Sequence, residues 1–209
     1  MRRALLVCGV VSSLVYVAAD ILGTLRWEGY SYVDQTISEL AAADAPSRPV
    51  VMPLFLAYDA LLLAFAAGVA GSRVRAARVT ATMLAAVALI GVAAYFVPIH
   101  MRGAAWSINE TLHTILTAAT VICIVLSMGF GASAAGPRFR NYSIATLVVT
   151  LLAGAWGGWI GRGLADNGPT PWVGIIERVS VFSYLLWVAV LAIALLPGHR
   201  QPDVLRTAA

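Results

Sequence analysis

The sequence contains no lysine, few charged residues of either sign and only two cysteines. All 14 basic residues are arginine, and charged residues make up 11% of the chain. An average soluble domain is about 25% charged, so this composition excludes an ordinary soluble domain. Cys8 and Cys123 lie within apolar runs, which favours free buried thiols over a disulfide framework. The arginines lie between apolar runs rather than on one face, so the net charge of +4 does not indicate nucleic-acid binding.

Long apolar runs dominate the rest of the sequence, which is 60% hydrophobic. A hydrocarbon core about 30 Å thick requires about 20 apolar residues of helix, and a single segment in lipid satisfies its backbone only as a helix. The sequence therefore predicts an all-α integral membrane bundle that forms one transmembrane domain over residues 1–209. The six predicted transmembrane helices cover residues 4–25, 50–72, 77–98, 107–131, 141–163 and 171–196.

The positions of the arginines predict the orientation of the bundle. Cytoplasmic loops carry an excess of basic residues, and an N-terminus in the cytoplasm places nine of the 14 arginines on the inner side. These nine are Arg2, Arg3, Arg73, Arg75, Arg78, Arg138, Arg140, Arg200 and Arg206. We therefore predict a multi-pass protein of the bacterial cytoplasmic (inner) membrane with both termini in the cytoplasm. Trp27, Tyr30, Tyr32, Trp106 and Trp172 would form an aromatic belt at the outer interface.

The longest predicted loop, residues 26–49, contains a short amphipathic segment. Ile37, Leu40 and Ala41 share one helical face, and Thr36 with Glu39 fits a capping box. We predict a short amphipathic helix that lies on the outer surface.

Glycine is frequent in the fifth predicted span. Gly154 and Gly158 are four residues apart, as are Gly157 and Gly161, and small residues at this spacing let helices approach closely. Packing within the bundle is the main interpretation. A homodimer through the Gly154/Gly158 face is the alternative.

Ionisable side chains within the predicted spans are the strongest indication of function, because lipid disfavours them. With a rise of about 1.5 Å per residue, Asp59 lies about 13 Å below the outer start of its span. His113 and Glu177 lie roughly 9 Å below theirs. These positions predict a polar pocket in the outer half of the membrane that opens outward. We predict catalytic roles for Asp59, His113, Glu177, Glu110 and Asp20, and substrate-binding roles for Ser38, Glu39, Tyr58, Trp106 and Arg178.

Structural roles are the alternative for most of these residues. Glu110 fits a capping box with Ser107, and His113, one turn later, could bond to the Glu110 carboxylate. Glu177 and Arg178 point about 100° apart, so each requires a partner on another helix, as in an inter-helix salt bridge.

Asp20 has a structural alternative to a catalytic role, whereas Asp59 has no capping role that would explain it. Asp20 lies near a helix end, where its carboxylate could accept hydrogen bonds from loop backbone. Asp59 has no capping role and is therefore either protonated or paired.

No cofactor is predicted, although a metal site is an alternative. His100, Glu110 and His113 with Asp59 or Glu177 offer donors that suit zinc or iron. Glu-x-x-His occurs only once, however, whereas di-iron bundles contain it twice.

Hydrolysis by a nucleophile and base is a further alternative. Ser38 and His113 could form such a pair, but the chain contains no Gly-x-Ser-x-Gly motif.

Three short motifs are informative about family. They are Gly29-Tyr30 with Ile37-Ser38-Glu39-Leu40-Ala41, then Phe96-Val97-Pro98 followed by His113, and finally Gly174-Ile175-Ile176-Glu177-Arg178-Val179-Ser180 with Trp187. Together they resemble the bacterial membrane proteins called domain of unknown function 998, over nearly the whole chain. The resemblance implies a membrane protein of six or seven helices without an established activity. Ile99-His100 stands where that family usually has an acidic residue soon after Phe-Pro.

Three functions are compatible with the sequence. The first is a membrane-embedded enzyme, a cyclase or hydrolase, that modifies a lipid or isoprenoid by acid/base chemistry through Asp59, His113 and Glu177. The second is a small transporter or proton-coupled carrier, which requires a path to both sides of the membrane; the apolar inner halves disfavour it. The third is a non-catalytic accessory subunit of a membrane complex. The expected partners are the lipid bilayer and a lipid or isoprenoid molecule, with no nucleic acid.

Overall fold

The computed structural model describes residues 1–72, 74–164 and 168–196. Six helices are long and apolar enough to cross a membrane, and the described residues contain no strand. This confirms the predicted all-α bundle, and each helix overlaps one predicted span. The helices are α1 Arg2–Arg26, α2 Arg48–Ala70, α3 Arg75–Tyr95, α4 Ile108–Gly131, α5 Pro137–Ile160 and α6 Val173–Leu195.

Neighbouring helices in the chain are mostly neighbours in space. Helices α1 to α4 pack in sequence, α5 packs on α6, and α6 returns to pack against α1. The connections after α1, α3 and α5 therefore share one end of the bundle, which we call the long-loop end. The N-terminus and the connections after α2 and α4 lie at the opposite, short-loop end.

The core near the short-loop end is apolar. Trp187, Phe65, Leu6 and Leu62 are fully buried, and the Trp187 ring lies where a Cβ on Gly131 would be 2.7 Å away. Among the described residues of this half, the buried polar side chains are hydroxyls: Ser12, Ser13, Thr80, Ser127 and Ser143. The helices therefore pack here without buried charge.

The glycines of α5 contribute to packing within the bundle. A Cβ on Gly154 would lie 3.5 Å from Ser180 Oγ, and one on Gly157 would lie 3.4 Å from Ile176, so both glycines face α6. Gly158 and Gly161 face open space. Gly154 therefore contributes to the contact between α5 and α6, whereas Gly158 has no neighbour within 4 Å, and dimerisation stays a prediction.

The short helix of the first long loop differs from its prediction. It is one turn of 3-10 helix, Ser38–Ala41, and it packs inside the protein rather than on the outer surface. Leu40 is fully buried and Glu39 is 3% exposed. The predicted capping bonds are present, since the Thr36 N–H donates to Glu39 Oε2 at 2.7 Å and the Glu39 N–H donates to Thr36 Oγ1 at 3.3 Å. The apolar face therefore contacts protein instead of lipid.

Candidate functional site

A buried ion pair joins the first and last helices near the long-loop end. Arg178 of α6 donates from Nε and Nη2 to the two oxygens of Asp20 in α1, at 3.1 and 2.8 Å. Asp20 is fully buried and Arg178 is 3% exposed. Two parallel bonds between guanidinium and carboxylate fix both side chains.

Arg178 also holds the first long loop. Its Nη1 donates to the backbone carbonyls of Tyr32 (3.0 Å) and Gln35 (3.2 Å), and its Nη2 donates to the Tyr30 hydroxyl (2.8 Å). The guanidinium carbon lies 3.7 Å from the centre of the Tyr32 ring, close enough for a cation–π contact. The donors of Arg178 are therefore committed to the protein itself.

The start of α6 is in close contact with the same loop. The Ile37 N–H donates to Glu177 Oε2 at 2.6 Å, and the Gly174 N–H donates to the Val33 carbonyl at 2.9 Å. A Cβ on Gly174 would lie 2.6 Å from the Tyr32 carbonyl oxygen and closer still to that of Gln35. Only glycine therefore allows this approach.

Asp34 connects the loop to the segment before α6. The Asp34 carbonyl accepts from Thr170 Oγ1, and Asp34 Oδ1 accepts from the Trp172 N–H, both at 3.0 Å. Trp172 has φ of 67°, which is unusual for a bulky residue. We call residues 27–47, 96–107 and 168–172, which meet at the long-loop end, the cap.

Glu39 and Arg102 join two parts of the cap. Arg102 Nε donates to Glu39 Oε1 at 2.5 Å, and Arg102 Nη2 donates to Glu39 Oε2 at 2.9 Å. Burial would raise the pKa of Glu39, but hydrogen bonds from Arg102 and the Thr36 backbone hold that pKa below its ordinary value. Glu39 is therefore an ionised structural anchor of the cap.

Glu110 fulfils its predicted capping role, but its histidine partner is not the predicted one. Its Oε2 accepts from the Ser107 N–H and hydroxyl, at 2.9 and 2.6 Å. Its Oε1 lies 2.7 Å from His100 Nδ1. The loop folds back over the start of α4, so His100 reaches the carboxylate that we expected His113 to bond.

His113 lies apart from these pairs. Its Nδ1 atom is buried and has no hydrogen-bond partner in the described chain, and its ring lies near the Val97 carbonyl. Buried polar atoms are normally paired, so His113 retains an unused donor or acceptor.

Asp59 is the buried acid without a partner. It is 4% exposed, and no hydrogen bond or ion pair to its side chain occurs within residues 1–72, 74–164 and 168–196. Its carboxyl oxygens are nevertheless not fully enclosed by protein. Asp59 lies eleven residues from either end of Arg48–Ala70, so its Cα is at the middle of α2 rather than in the outer half.

Gly91 of α3 provides the space for this carboxyl group. A Cβ at position 91 would lie 2.7 Å from Asp59 Oδ2 and closer still to Oδ1. The acid is thus held directly against the α3 backbone.

Aromatic side chains of three helices lie near Asp59. The Tyr16 ring of α1 lies 4.9 Å from the Tyr58 ring and 5.0 Å from the Phe55 ring. Tyr58 and Tyr184 of α6 are close enough to interact electrostatically with Asp59, and Tyr16 interacts with Glu177 and Asp20 as well as with Asp59. The Tyr184 hydroxyl is sealed and has no partner of good geometry in the described part of the protein.

Among the described residues, the predicted site residues Trp106, Ser38 and His113 make no hydrogen bond to Asp59 or to the tyrosines near it. Trp106 is 52% exposed, and its Nε1 donates to Thr111 Oγ1 at 3.1 Å. No hydrogen bond links Ser38 to His113 among the described residues, so the nucleophile and base arrangement gains no support. Within the same residues, no group of three or more His, Cys, Asp or Glu side chains could hold a metal ion.

The assignment of Asp59 and Tyr58 to one functional site stays a prediction. The sequence analysis did not pair Asp20 with Arg178, which bind each other. It missed Tyr16, Tyr184 and Gly91. A tyrosine in the middle of each of two other spans was the available signal, but the sequence does not show which helices are adjacent.

Comparison with known proteins identifies the family. Residues 10–194 match the family model described as Protein of unknown function (DUF998), which covers most of the chain. The chain belongs to the DUF998 family. No curated protein and no solved structure matches it.

In this DUF998 protein, the first-loop and last-span motifs contact each other. Gly174, Glu177 and Arg178 from the last span bind the loop that contains Tyr30 and Ile37. The motif residues therefore serve mainly to dock the cap, whereas Asp59 lies outside the three motifs.

Proposed function

We propose that this DUF998 protein is a membrane-embedded enzyme that transfers a proton from Asp59 to a lipid or isoprenoid substrate. The observation that carries the proposal is the Asp59 carboxyl group, buried in the middle of α2 without a hydrogen-bond or ion-pair partner in the described chain. An ionised carboxylate without a partner is costly in this environment, so the neutral acid is favoured. A neutral acid at this depth is suited to protonate an apolar substrate.

The positions of the other charged groups support the choice of Asp59. Asp20 and Arg178 bind each other, Glu39 binds Arg102, and Glu110 binds His100. Glu177 accepts from the Ile37 backbone through one oxygen. These contacts give the other charged groups a structural role in holding the cap, whereas no such contact explains the presence of a buried acid at position 59. His113 keeps its predicted acid/base role, because its Nδ1 atom has no partner in the described residues.

Proton-initiated rearrangement of an alkene is the reaction that suits this environment. The Asp59 O–H bond breaks, and its proton forms a C–H bond with the π electron pair of the substrate. The adjacent carbon becomes a cation, which a second double bond of the same chain can attack to close a ring. Loss of a proton to the Asp59 carboxylate restores the acid, so the product is an isomer of the substrate and no oxidant or reductant is required.

Aromatic side chains favour this reaction over hydrolysis. The faces of Tyr16 and Tyr58 can stabilise a cation near Asp59, whereas hydrolysis requires an activated nucleophile. A proton-coupled carrier is disfavoured by the short-loop half, where the buried polar groups of the described residues are hydroxyls.

The proposal includes an orientation, with the cap outside a bacterial cytoplasmic membrane and both termini inside. Its support is the predominance of arginine in the opposite segments. Asp44 and Arg75 are exposed at opposite ends of the bundle. In a chain whose native cysteines are replaced by alanine, Asp44→Cys should react with an impermeant maleimide from outside only, and Arg75→Cys only after the cells are opened. The reverse pattern would contradict the orientation.

Lipid analysis of cells tests the proposed reaction. Cells that produce the wild-type protein should contain an isomer of a cell lipid that cells with an empty vector lack. Asp59→Asn keeps the shape of the side chain but removes the acid, so the isomer should fall by at least about 100-fold, within the range expected for loss of general acid catalysis. Liquid chromatography with mass spectrometry measures both quantities.

Two further variants make the result specific. Gly91→Ala keeps the acid but moves it, so it should also lose the isomer, while Gly158→Ala faces open space and should retain it. Gel filtration should show that all three variants are folded. A folded Asp59→Asn protein that forms the isomer at the wild-type level would refute the proposal.

A further inference from the structure

We infer that the Asp59 site binds a lipophilic organic cation, namely a tertiary or quaternary ammonium group carried on an apolar chain. The inference deepens the proposed function, because such a ligand would occupy the place of a positively charged reaction intermediate. It rests on the arrangement of Asp59, Tyr16, Tyr58 and Tyr184.

The charge of the site favours a cation. Asp59 is the ionisable group at the centre of the cluster, and no cation of the described chain pairs with it. Arg178, a buried cation of the described chain, is bound to Asp20. A positive ligand would supply the missing partner and allow Asp59 to ionise, since a buried charge is tolerated when it is paired.

The lining of the site favours an organic cation over a metal ion. The Tyr16 ring lies 5.0 Å from the Phe55 ring and 4.9 Å from the Tyr58 ring, centre to centre, and quaternary ammonium groups bind to aromatic ring surfaces. A metal ion would require several N, O or S donors, and the described residues contain no such group. A quaternary ammonium group has no hydrogen-bond donor, so it would pair with Asp59 through charge alone.

The position of the site favours an apolar chain on the ligand. Asp59 and Tyr184 lie near the middle of α2 and α6, so a ligand reaches them from within the membrane. The Tyr16 hydroxyl has no hydrogen-bond partner in the described chain, yet it is not fully enclosed by protein.

Thermal unfolding of the purified full-length protein in maltoside micelles tests the inference. Dodecyltrimethylammonium is the cationic probe, and dodecanol is the uncharged probe of the same chain length. A ligand that binds the native state raises the unfolding temperature with its concentration. We expect saturable stabilisation by the ammonium probe and none by dodecanol.

Variants distinguish binding of the ammonium probe at the Asp59 site from general effects of the probe on the micelles. Asp59→Asn and Tyr16→Leu should each weaken the apparent affinity by at least about tenfold, a loss of the size expected for a desolvated cation–π or ion-pair contact. Gly158→Ala should bind as the wild type does. Equal stabilisation of wild type and Asp59→Asn, or none in the wild type, would overturn the inference.

The two proposals can fail separately. Saturable ammonium binding in a protein that forms no lipid isomer would support the cation site and reject the reaction. An Asp59-dependent isomer without ammonium binding would reject the cation site alone.

Discussion

Replacing Arg178 by methionine is expected to remove most of the folded protein from the membrane. The variant leaves Asp20 fully buried without its cation, and removal of one partner of a buried ion pair costs about 3–5 kcal/mol. Whole domains are stable by only about 5–15 kcal/mol. For a chain of this length we expect the unfolding temperature to fall by roughly 10 °C, together with a large loss of yield.

Two other variants identify the cause of this loss. Arg162→Met removes an exposed arginine and should leave the unfolding temperature within about 2 °C of wild type. Asp20→Leu combined with Arg178→Met replaces the pair by apolar side chains, which should restore part of the lost stability. If Arg178→Met is as stable as Arg162→Met, the ion pair does not hold the first and last helices together.

Adding one methyl group at Gly174 is expected to displace the cap. The Cβ of Gly174→Ala would collide with the carbonyl oxygens of Tyr32 and Gln35, which belong to backbone and cannot rotate away. The same carbonyls accept from Arg178, so the loop cannot move without weakening those bonds. We expect a loss of at least about 1–3 kcal/mol, typical of overpacking, measured as the unfolding temperature in detergent.

Gly158→Ala is the matched control for this substitution. It makes the same chemical change in another membrane-spanning helix, at a position where nothing lies within 4 Å of the new Cβ. It should be neutral or slightly stabilising, because alanine favours helix more than glycine does. Equal effects of the two alanines would show that close contact at Gly174 does not position the cap.

The helices could be predicted from the sequence because lipid imposes one rule on every span. A long apolar run must be helical, so six runs gave six helices whose ends differ by a few residues from those observed. The ends are less predictable, because local contacts decide them. Helix α2 begins at Arg48 rather than residue 50 and ends at Ala70 rather than residue 72, and these two shifts place Asp59 at the middle of the helix.

The pairing of side chains could not be predicted to the same extent. Because Glu177 and Arg178 point about 100° apart on one helix, the sequence correctly indicated that each binds a partner elsewhere. Only the fold shows that Glu177 binds the Ile37 backbone and that Arg178 binds Asp20. The amphipathic pattern around Leu40 indicated a buried face without showing whether lipid or protein covers it. Pairing across helices depends on which helices are adjacent, and spacing along the chain does not contain that information.

The most direct test of the account is the isotope content of the lipid product. The central claim is that Asp59 donates a proton to carbon. The proton that the Asp59 carboxylate takes back at the end of a turnover is expected to exchange with water before the next turnover. When membranes of cells that were grown in ordinary water and produce the wild-type protein are transferred to D2O, the isomeric lipid that forms afterwards should contain deuterium at a carbon that gains a new C–H bond, and membranes with Asp59→Asn should form none of it. An isomer that forms in the wild-type membranes after the transfer without deuterium at any such carbon would contradict the account.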